Sequence, residues 1–322
     1  MASLIRYVLR RLLFMIPVFL GVAILTFGVG NAAGNPIDLI RAGLRNPNPA
    51  VLKALTAYYH LDRPIWERFL YWLWDLLHGN LGVSISGRPV ISQIGPWTFT
   101  TLELQILSLI LAIVIGIPVG VYSSKHQYSK ADYAITTTAI FGFSMPTFWL
   151  GIMLIVIFSL DLGWLPSSGA ASVSNLWWGN NFLDWLAHLI LPTAVLTYVS
   201  LATIVRLVRA NMLETMRQDY ILAARASGLS ERTVTYRYAL RNAISPVVTI
   251  IGLGFGAAMA GAPALETTFS WPGLGYAFTQ AALTLDIPLV EGITIVITVM
   301  VLIANLITDF VYAVIDPRVT IQ

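Results

Sequence analysis

The chain has 322 residues, of which 57% are hydrophobic and only 11% are charged, and its formal net charge is +3. A soluble globular domain carries about 25% charged residues, so the composition excludes an ordinary soluble enzyme or binding domain and indicates a protein of the lipid bilayer. The chain has no cysteine, which excludes disulfides, a thiolate nucleophile and cysteine-ligated metal sites. Its basic residues flank apolar runs, so they indicate membrane topology and no nucleic-acid partner.

Six apolar stretches are long enough to cross a hydrocarbon core, which needs about 20 residues. They are residues 12–30, 104–124, 133–160, 185–205, 242–265 and 292–315. Asn31, Ala32, Ala33 and Gly34 resemble a signal-peptide cleavage region, but the first run is longer than the apolar core of a signal peptide, and a retained helix is favoured. Pro146 could break the third stretch. The sequence therefore predicts an all-α membrane protein with six transmembrane helices.

Lysine and arginine are unevenly distributed along the chain. Seven arginines lie between positions 206 and 241, whereas segments 161–184 and 266–291 contain no lysine or arginine. Cytoplasmic loops of membrane proteins are enriched in these residues. The distribution therefore predicts a multi-pass protein with both termini in the cytoplasm.

Segment 31–97 would then lie outside the cytoplasm. Apolar residues recur at helical spacing between positions 49 and 79, beginning with Leu52 and Leu55, and Pro64 is placed to start a second helix. The stretch 64–78 is too short and too charged to cross a membrane. We predict amphipathic helices at the outer interface, anchored by tryptophans at 66, 72 and 74, that cap the outer helix ends. A substrate site is the alternative interpretation.

Motifs for catalysis, cofactor binding and metal binding are absent from the sequence. It contains no G-x-x-x-x-G-K-[ST] phosphate loop, no H-E-x-x-H and no G-x-S-x-G, so ATP hydrolysis and the common hydrolase sites are not predicted in this chain. His188, near a predicted span, is expected to be a hydrogen-bonded structural residue. Four acidic residues fall near span ends, where we expect water or lipid headgroups to solvate them. They are Glu103, Glu266, Glu291 and Asp309.

Glycines in the fifth apolar stretch predict close helix packing. Gly252 with Gly256, and Ala257 with Gly261, have the spacing of small residues at membrane helix interfaces. The glycines superficially match a dinucleotide loop, but no strand precedes them. Close approach of two helices is therefore the favoured interpretation.

The polar segment 219–249 has the sequence DYILAARASGLSERTVTYRYALRNAISPVVT. Its first residues favour a helix, Gly228 is a natural helix stop, and Ser230 can cap a second helix. Ala223, Ala224 and Ala226 would present a small-residue surface to another protein, with Arg225 supplying charge-assisted contacts. The alternative is that the arginines only set topology and bind anionic lipid headgroups.

This segment resembles the cytoplasmic EAA motif of ABC importer permeases and, in its details, the dipeptide and oligopeptide permease family. Leu222 stands where the generic motif has glutamate. Further similarity is found in RYVLRRLLFMIPVFLGVAILTF near the start, in the Gly-x-Ser element at Gly82 and Ser84, and in FSMPTFWLGIMLI, PGLGYAF and NLITDFVYAVIDPRV. The resemblance covers nearly the whole chain.

The resemblance implies a type I ABC importer transmembrane fold. Residues 1–96 would form the first helix and an extracytoplasmic helical segment, and residues 97–322 a five-helix core with a coupling helix at about 219–237 that docks onto a cytoplasmic ATPase. The implied ATPase-coupling residues are Tyr220, Ala223, Ala224, Arg225, Ala226, Gly228 and Leu229. The chain would be a non-catalytic subunit of a prokaryotic inner membrane.

The resemblance also implies the partners. They are a second homologous permease that completes a heterodimer, two cytoplasmic ATPase subunits and an extracytoplasmic substrate-binding protein. The chain itself would carry no cofactor, because ATP and Mg would be bound by the ATPases.

The substrate is less closely defined by the resemblance. The family imports dipeptides and oligopeptides, and some relatives carry oligosaccharides or metal chelates. Trp149, Trp177, Trp178 and Trp271 could stack on sugars, but interfacial anchoring explains tryptophans equally well. Peptides are therefore favoured over oligosaccharides, while a self-contained secondary carrier and an intramembrane enzyme are alternatives from other classes.

Overall fold

The computed structural model describes residues 2–34, 53, 56, 57, 59–172 and 176–315. Within them the chain is almost wholly helical, apart from one antiparallel bridge between Val83 and Pro89 and a short 3-10 turn at Trp177–Gly179. In chain order the helices are α1 (Ala2–Ala33), α2 (Ile65–Leu77), α3 (Val90–Lys125), α4 (Lys130–Ser144), α5 (Thr147–Leu154, continued by a π-helix at Ile155–Asp161), α6 (Asn181–Thr215), α7 (Asp219–Ala226), α8 (Glu231–Ala258, with a π-helical part at Val234–Ala239), α9 (Pro263–Thr268), α10 (Leu274–Leu283) and α11 (Ile287–Ile315).

Five of these helices, α1, α3, α6, α8 and α11, are long and apolar enough to cross a bilayer. The third predicted span is instead the pair α4 and α5, bent by 108° at the break between them. Proline disfavours helical backbone in the residue before it, and Met145, before Pro146, has φ −85° and ψ 132°. Of the six predicted crossings, five are therefore matched by helices of sufficient length, and the bent pair makes a sixth if its two helices form one span.

The fifth predicted span, 242–265, is shifted relative to its helix. Helix α8 begins at Glu231 and ends at Ala258, and Pro263 begins the separate helix α9. The second helix predicted after Gly228 is thus the start of α8 itself. Gly261 lies beyond the end of α8 with φ 82°, so the predicted pairing of Ala257 with Gly261 along one helix face is wrong.

The chain divides into two compact units. The first contains residues 1–101, 260–263 and 272–303, and the second contains residues 102–259, 264–271 and 304–322. Helices α3 and α11 contribute residues to both units. Each unit has its own buried apolar cluster.

In the first unit, aromatic side chains pack α2 against α1. The ring of Phe27 lies 5.4 Å from that of Phe69 and 5.5 Å from that of Trp72, between ring centroids. Helix α2 begins after Pro64, as predicted, whereas the helix predicted around Leu52 and Leu55 lies outside the described residues. The outer-interface position of α2 stays a prediction.

The Gly-x-Ser element of the first unit has a local structural role. The Ser84 hydroxyl donates to Asp286, which is 4% exposed. Asp286 also accepts from the backbone N–H groups of Ile85 and Leu289, each at 3.3 Å. The carboxylate therefore caps the start of α11 and ties it to the loop before α3.

Two expectations about single side chains have different outcomes. His188 is buried, and its Nδ1 lies 2.8 Å from the Asp184 carbonyl oxygen, so the predicted structural hydrogen bond is confirmed. Glu266 is 0% exposed, so the expectation that water or headgroups solvate it is wrong. A residue near a span end is therefore not necessarily at the protein surface.

In the second unit, Gly252 and Gly256 bring α8 close to α11. A Cβ atom at Gly252 would lie 2.0 Å from Cγ2 of Thr308, and one at Gly256 would lie 2.1 Å from Oδ1 of Asn305. The Thr308 hydroxyl donates to the Gly252 carbonyl oxygen at 3.1 Å. The close approach of these helices therefore depends on the absence of side chains at Gly252 and Gly256.

We expect Gly252→Ala to lower the thermal unfolding temperature of the purified protein, because the added methyl group overlaps Thr308. Overpacking of this kind typically costs about 1–3 kcal/mol. Gly254→Ala is the matched control, because the same change in the same helix meets no atom within 4 Å. Equal unfolding temperatures for the two variants, measured in the same detergent, would contradict this packing role.

Candidate functional site

Helix α7 is short and amphipathic, and it lies between the long helices α6 and α8 in the chain. It follows a turn at Met216–Gln218 and begins at Asp219. The acidic residue in its first turn and Arg225 in its last turn both suit the helix dipole. The local sequence thus favours an eight-residue helix at this place.

The inner face of α7 is buried in the apolar cluster of the second unit. Ile221 is 0% exposed and Ala224 is 7% exposed. Both belong to the cluster that contains Val208 of α6, Val234 of α8 and Ala112 of α3. Helix α7 is therefore packed into an apolar cluster that also contains residues of three long helices.

The burial of Ala224 changes the predicted docking surface. Because Ala224 points into the cluster, it is not on the exposed small-residue surface with Ala223 and Ala226. The residues of α7 and its following turn whose apolar or aromatic side chains are exposed are here called the α7 outer face. They are Tyr220, Leu222, Ala223, Ala226 and Leu229.

Large apolar side chains dominate the α7 outer face. Leu222 is 54% exposed, Tyr220 is 41% exposed and Leu229 is 38% exposed. Leu222, which stands where the generic motif has glutamate, is not among the coupling residues implied by the resemblance. Its exposure beside Ala223 and Ala226 makes it the most exposed large side chain of this face.

The turn after α7 closes around Gly228, which has φ 79°. Its N–H donates to the Arg225 carbonyl at 2.9 Å, and the Leu229 N–H donates to the Ala224 carbonyl at 3.4 Å. This pair of bonds is a Schellman helix stop, in which the left-handed residue is usually glycine. The predicted stop at Gly228 is confirmed.

Side chains reinforce the same turn. Ser230 accepts a hydrogen bond from the Thr233 N–H at 3.3 Å, which confirms the predicted cap of the second helix. Arg225 donates to Glu231 at 2.8 Å and 3.4 Å. The Arg225 charge is therefore paired within the chain, where sequence reasoning assigned it to contacts with another protein.

An ion pair in the same unit joins the start of α4 to α6. Arg209 of α6 donates to both carboxylate oxygens of Asp132, each at 2.7 Å. Ser123 and the Tyr128 N–H also donate to this carboxylate, which is 2% exposed. Sequence reasoning missed this pair, although Ser129 and Asp132 have the spacing of a helix capping box.

The outer residues of α8 near α7 carry several exposed charges. Arg232, Arg237 and Arg241 are exposed along the first half of α8. Asn242 donates to the Tyr220 hydroxyl at 2.8 Å and so links α8 to the start of α7. Among the described residues, no group of three or more His, Asp or Glu side chains could hold a metal ion.

Comparison with known proteins places this geometry in a family. The family described as "Binding-protein-dependent transport system inner membrane component" matches residues 112–321, which include all of α7. The dipeptide transport system permease protein DppB of Escherichia coli (strain K12) is 40% identical over 336 positions, covering 98% of this chain and 99% of that protein. The oligopeptide transport system permease protein AppB of Bacillus subtilis (strain 168) is 39% identical over 320 positions, covering 97% and 98%.

A solved structure supports the fold. The inward-facing MetNI methionine ABC transporter matches with a TM-score of 0.54 and 18% identity, covering 70% of this chain and 97% of that chain. The described helices therefore have the type I ABC importer transmembrane fold, as predicted. The chain belongs to the family of inner membrane components of binding-protein-dependent transport systems.

Proposed function

We propose that this chain is the transmembrane permease subunit of an ATP-driven importer of dipeptides or oligopeptides. It would supply half of the translocation pathway. Its similarity to peptide permeases over 97–98% of its length supports peptides over oligosaccharides. The observation that carries the proposal is α7, whose inner face is buried in an apolar cluster shared with three long helices while its outer face is exposed.

The α7 outer face is proposed to dock onto a cytoplasmic ATPase subunit. Leu222, Ala223, Ala226 and Leu229 offer an apolar surface of small and medium side chains, which a groove on another protein can approach closely. Movement of the ATPase would reach α3, α6 and α8 through Ile221 and Ala224. Arg225 would act within the turn through its pair with Glu231.

The proposed complex contains a second homologous permease, two ATPase subunits and an extracytoplasmic substrate-binding protein. ATP and Mg would be bound by the ATPases, because this chain has no phosphate loop. The arginine-rich segment 206–241 supports a cytoplasmic position for α7 and for both termini. Residues 1–96 are proposed to form the first helix and the extracytoplasmic segment, and residues 97–322 the five-helix transmembrane core.

When this chain is purified under native conditions, the second permease and the ATPases should copurify with it. In proteoliposomes, this complex should take up a dipeptide delivered by the binding protein only when ATP is present. A non-hydrolysable ATP analogue is the control. Peptide uptake by this chain alone under an ion gradient would contradict the proposal and support a secondary carrier.

Replacing Gly228 tests whether the turn after α7 positions this helix for docking. Valine at φ 79° is strained by about 1–2 kcal/mol, so Gly228→Val should displace α7 and reduce uptake and ATPase copurification several-fold. Gly163→Val is the matched control, because Gly163 also has a positive φ, 61°, with no atom within 4 Å of an added Cβ. Unchanged uptake by Gly228→Val, at equal membrane levels, would contradict docking at this turn.

A further inference from the structure

The second unit contains a cavity of about 230 Å³ between α3, α6 and α8. Most of its lining is aliphatic, but four polar side chains also line it. They are Gln105 and Ser108 of α3 and Ser200 and Thr203 of α6. None of the described residues that line it is charged.

Gln105 distinguishes this cavity from an ordinary packing gap. Its side chain is 7% exposed, and the structure gives its carboxamide no hydrogen-bond partner among the described residues. The hydroxyl groups of Ser200 and Thr203 also have no partner there. Ser200 and Thr203 are half-buried, and the polar atoms of the three side chains are not among the fully buried unpartnered atoms of the described residues. They are therefore accessible from the cavity, where water or a ligand can satisfy them.

Neighbouring polar residues of the same helices are satisfied inside the protein. The Ser108 hydroxyl donates to the Leu104 carbonyl at 2.7 Å, and the Thr197 hydroxyl donates to the Ser108 carbonyl at 3.3 Å. The first bond lies within α3, and the second joins α6 to α3, as polar residues at membrane helix interfaces do. The unpartnered groups of the cavity therefore serve another purpose than helix packing within this chain.

The cavity lies near the middle of two membrane-spanning helices. Helix α3 has 36 residues and α6 has 35 residues. At about 1.5 Å per residue, Gln105 and Ser200 lie within about 4 Å of the helix midpoints, and Thr203 lies within about 8 Å. The three residues also fall within the apolar stretches 104–124 and 185–205. In such stretches, polar groups without protein partners are tolerated where they line a water-filled space.

We propose that this cavity is a subsite of the translocation path, where Gln105, Ser200 and Thr203 bind backbone amide groups of the passing peptide. A carboxamide and two hydroxyls can each donate and accept, which matches the alternating N–H and C=O groups of a peptide chain. The absence of a charged lining residue fits a path that accepts peptides with different side chains. This inference rests on the proposed function and assigns residues to it.

The absence of native cysteine permits a direct test in the assembled transporter. Single cysteines at positions 105, 200 and 203 should react with a membrane-impermeant, charged thiol reagent, and saturating dipeptide during ATP turnover should slow the reaction several-fold. The matched control is Ile110→Cys, because Ile110 lies on the same helix and is 50% exposed on an apolar surface. Complexes with the cysteine-free chain give the background from the partner subunits.

No reaction above background at the three positions would overturn the inference, as would reaction that dipeptide does not slow. Gln105→Met, which keeps the side-chain length and removes the amide, should lower dipeptide uptake by roughly fivefold, the size of one lost hydrogen bond. Gln105→Asn should retain more uptake. If Gln105→Met instead releases the second permease on purification, the cavity is a subunit contact, and the inference is wrong.

Failure of the proposed function has a different signature. In that case the unmodified complex would show no ATP-dependent dipeptide uptake at all. Normal uptake by the unmodified complex with unreactive cysteines would overturn the subsite alone.

Discussion

The packing of Ile221 and Ala224 into the apolar cluster of the second unit is the contact on which the account depends. The same cluster holds Val208 and Val234 from the helices on either side of α7. A closely packed interior transmits a displacement because it resists compression. A force applied to the exposed side of α7 would therefore reach membrane-spanning helices without passing through a flexible loop.

The turn after α7 fixes the orientation in which the helix presents its outer face. The left-handed Gly228, the paired bonds of the helix stop and the Arg225 to Glu231 ion pair all act within about ten residues of chain. Exposed ion pairs contribute about 0–1 kcal/mol, so the glycine stop and the buried face contribute more than the charge pair. The α7 outer face is thus presented by backbone geometry and apolar packing, with arginine in a supporting role.

Features set by local chemistry could be predicted from the sequence. Apolar length located the long helices, although the third predicted span is a bent pair and the fifth is shifted. Glycine and serine preferences located the stop at Gly228 and the cap at Ser230. Features set by distant parts of the chain could not be predicted. The pair Asp132 and Arg209 joins residues 77 positions apart, and the inward position of Ala224 depends on where α6 and α8 pack. The position of Gln105 in a cavity likewise depends on how α3, α6 and α8 pack together.

The most direct test of docking is a photo-reactive amino acid at position 222 in the complete, ATP-hydrolysing complex. The side chain of Leu222 is 54% exposed on the α7 outer face, and the account predicts a covalent adduct with an ATPase subunit after irradiation. The same photo-reactive residue at Leu283, which is 74% exposed on α10, should give no adduct with an ATPase. A complex that imports peptide yet gives no ATPase adduct from position 222 would contradict the account.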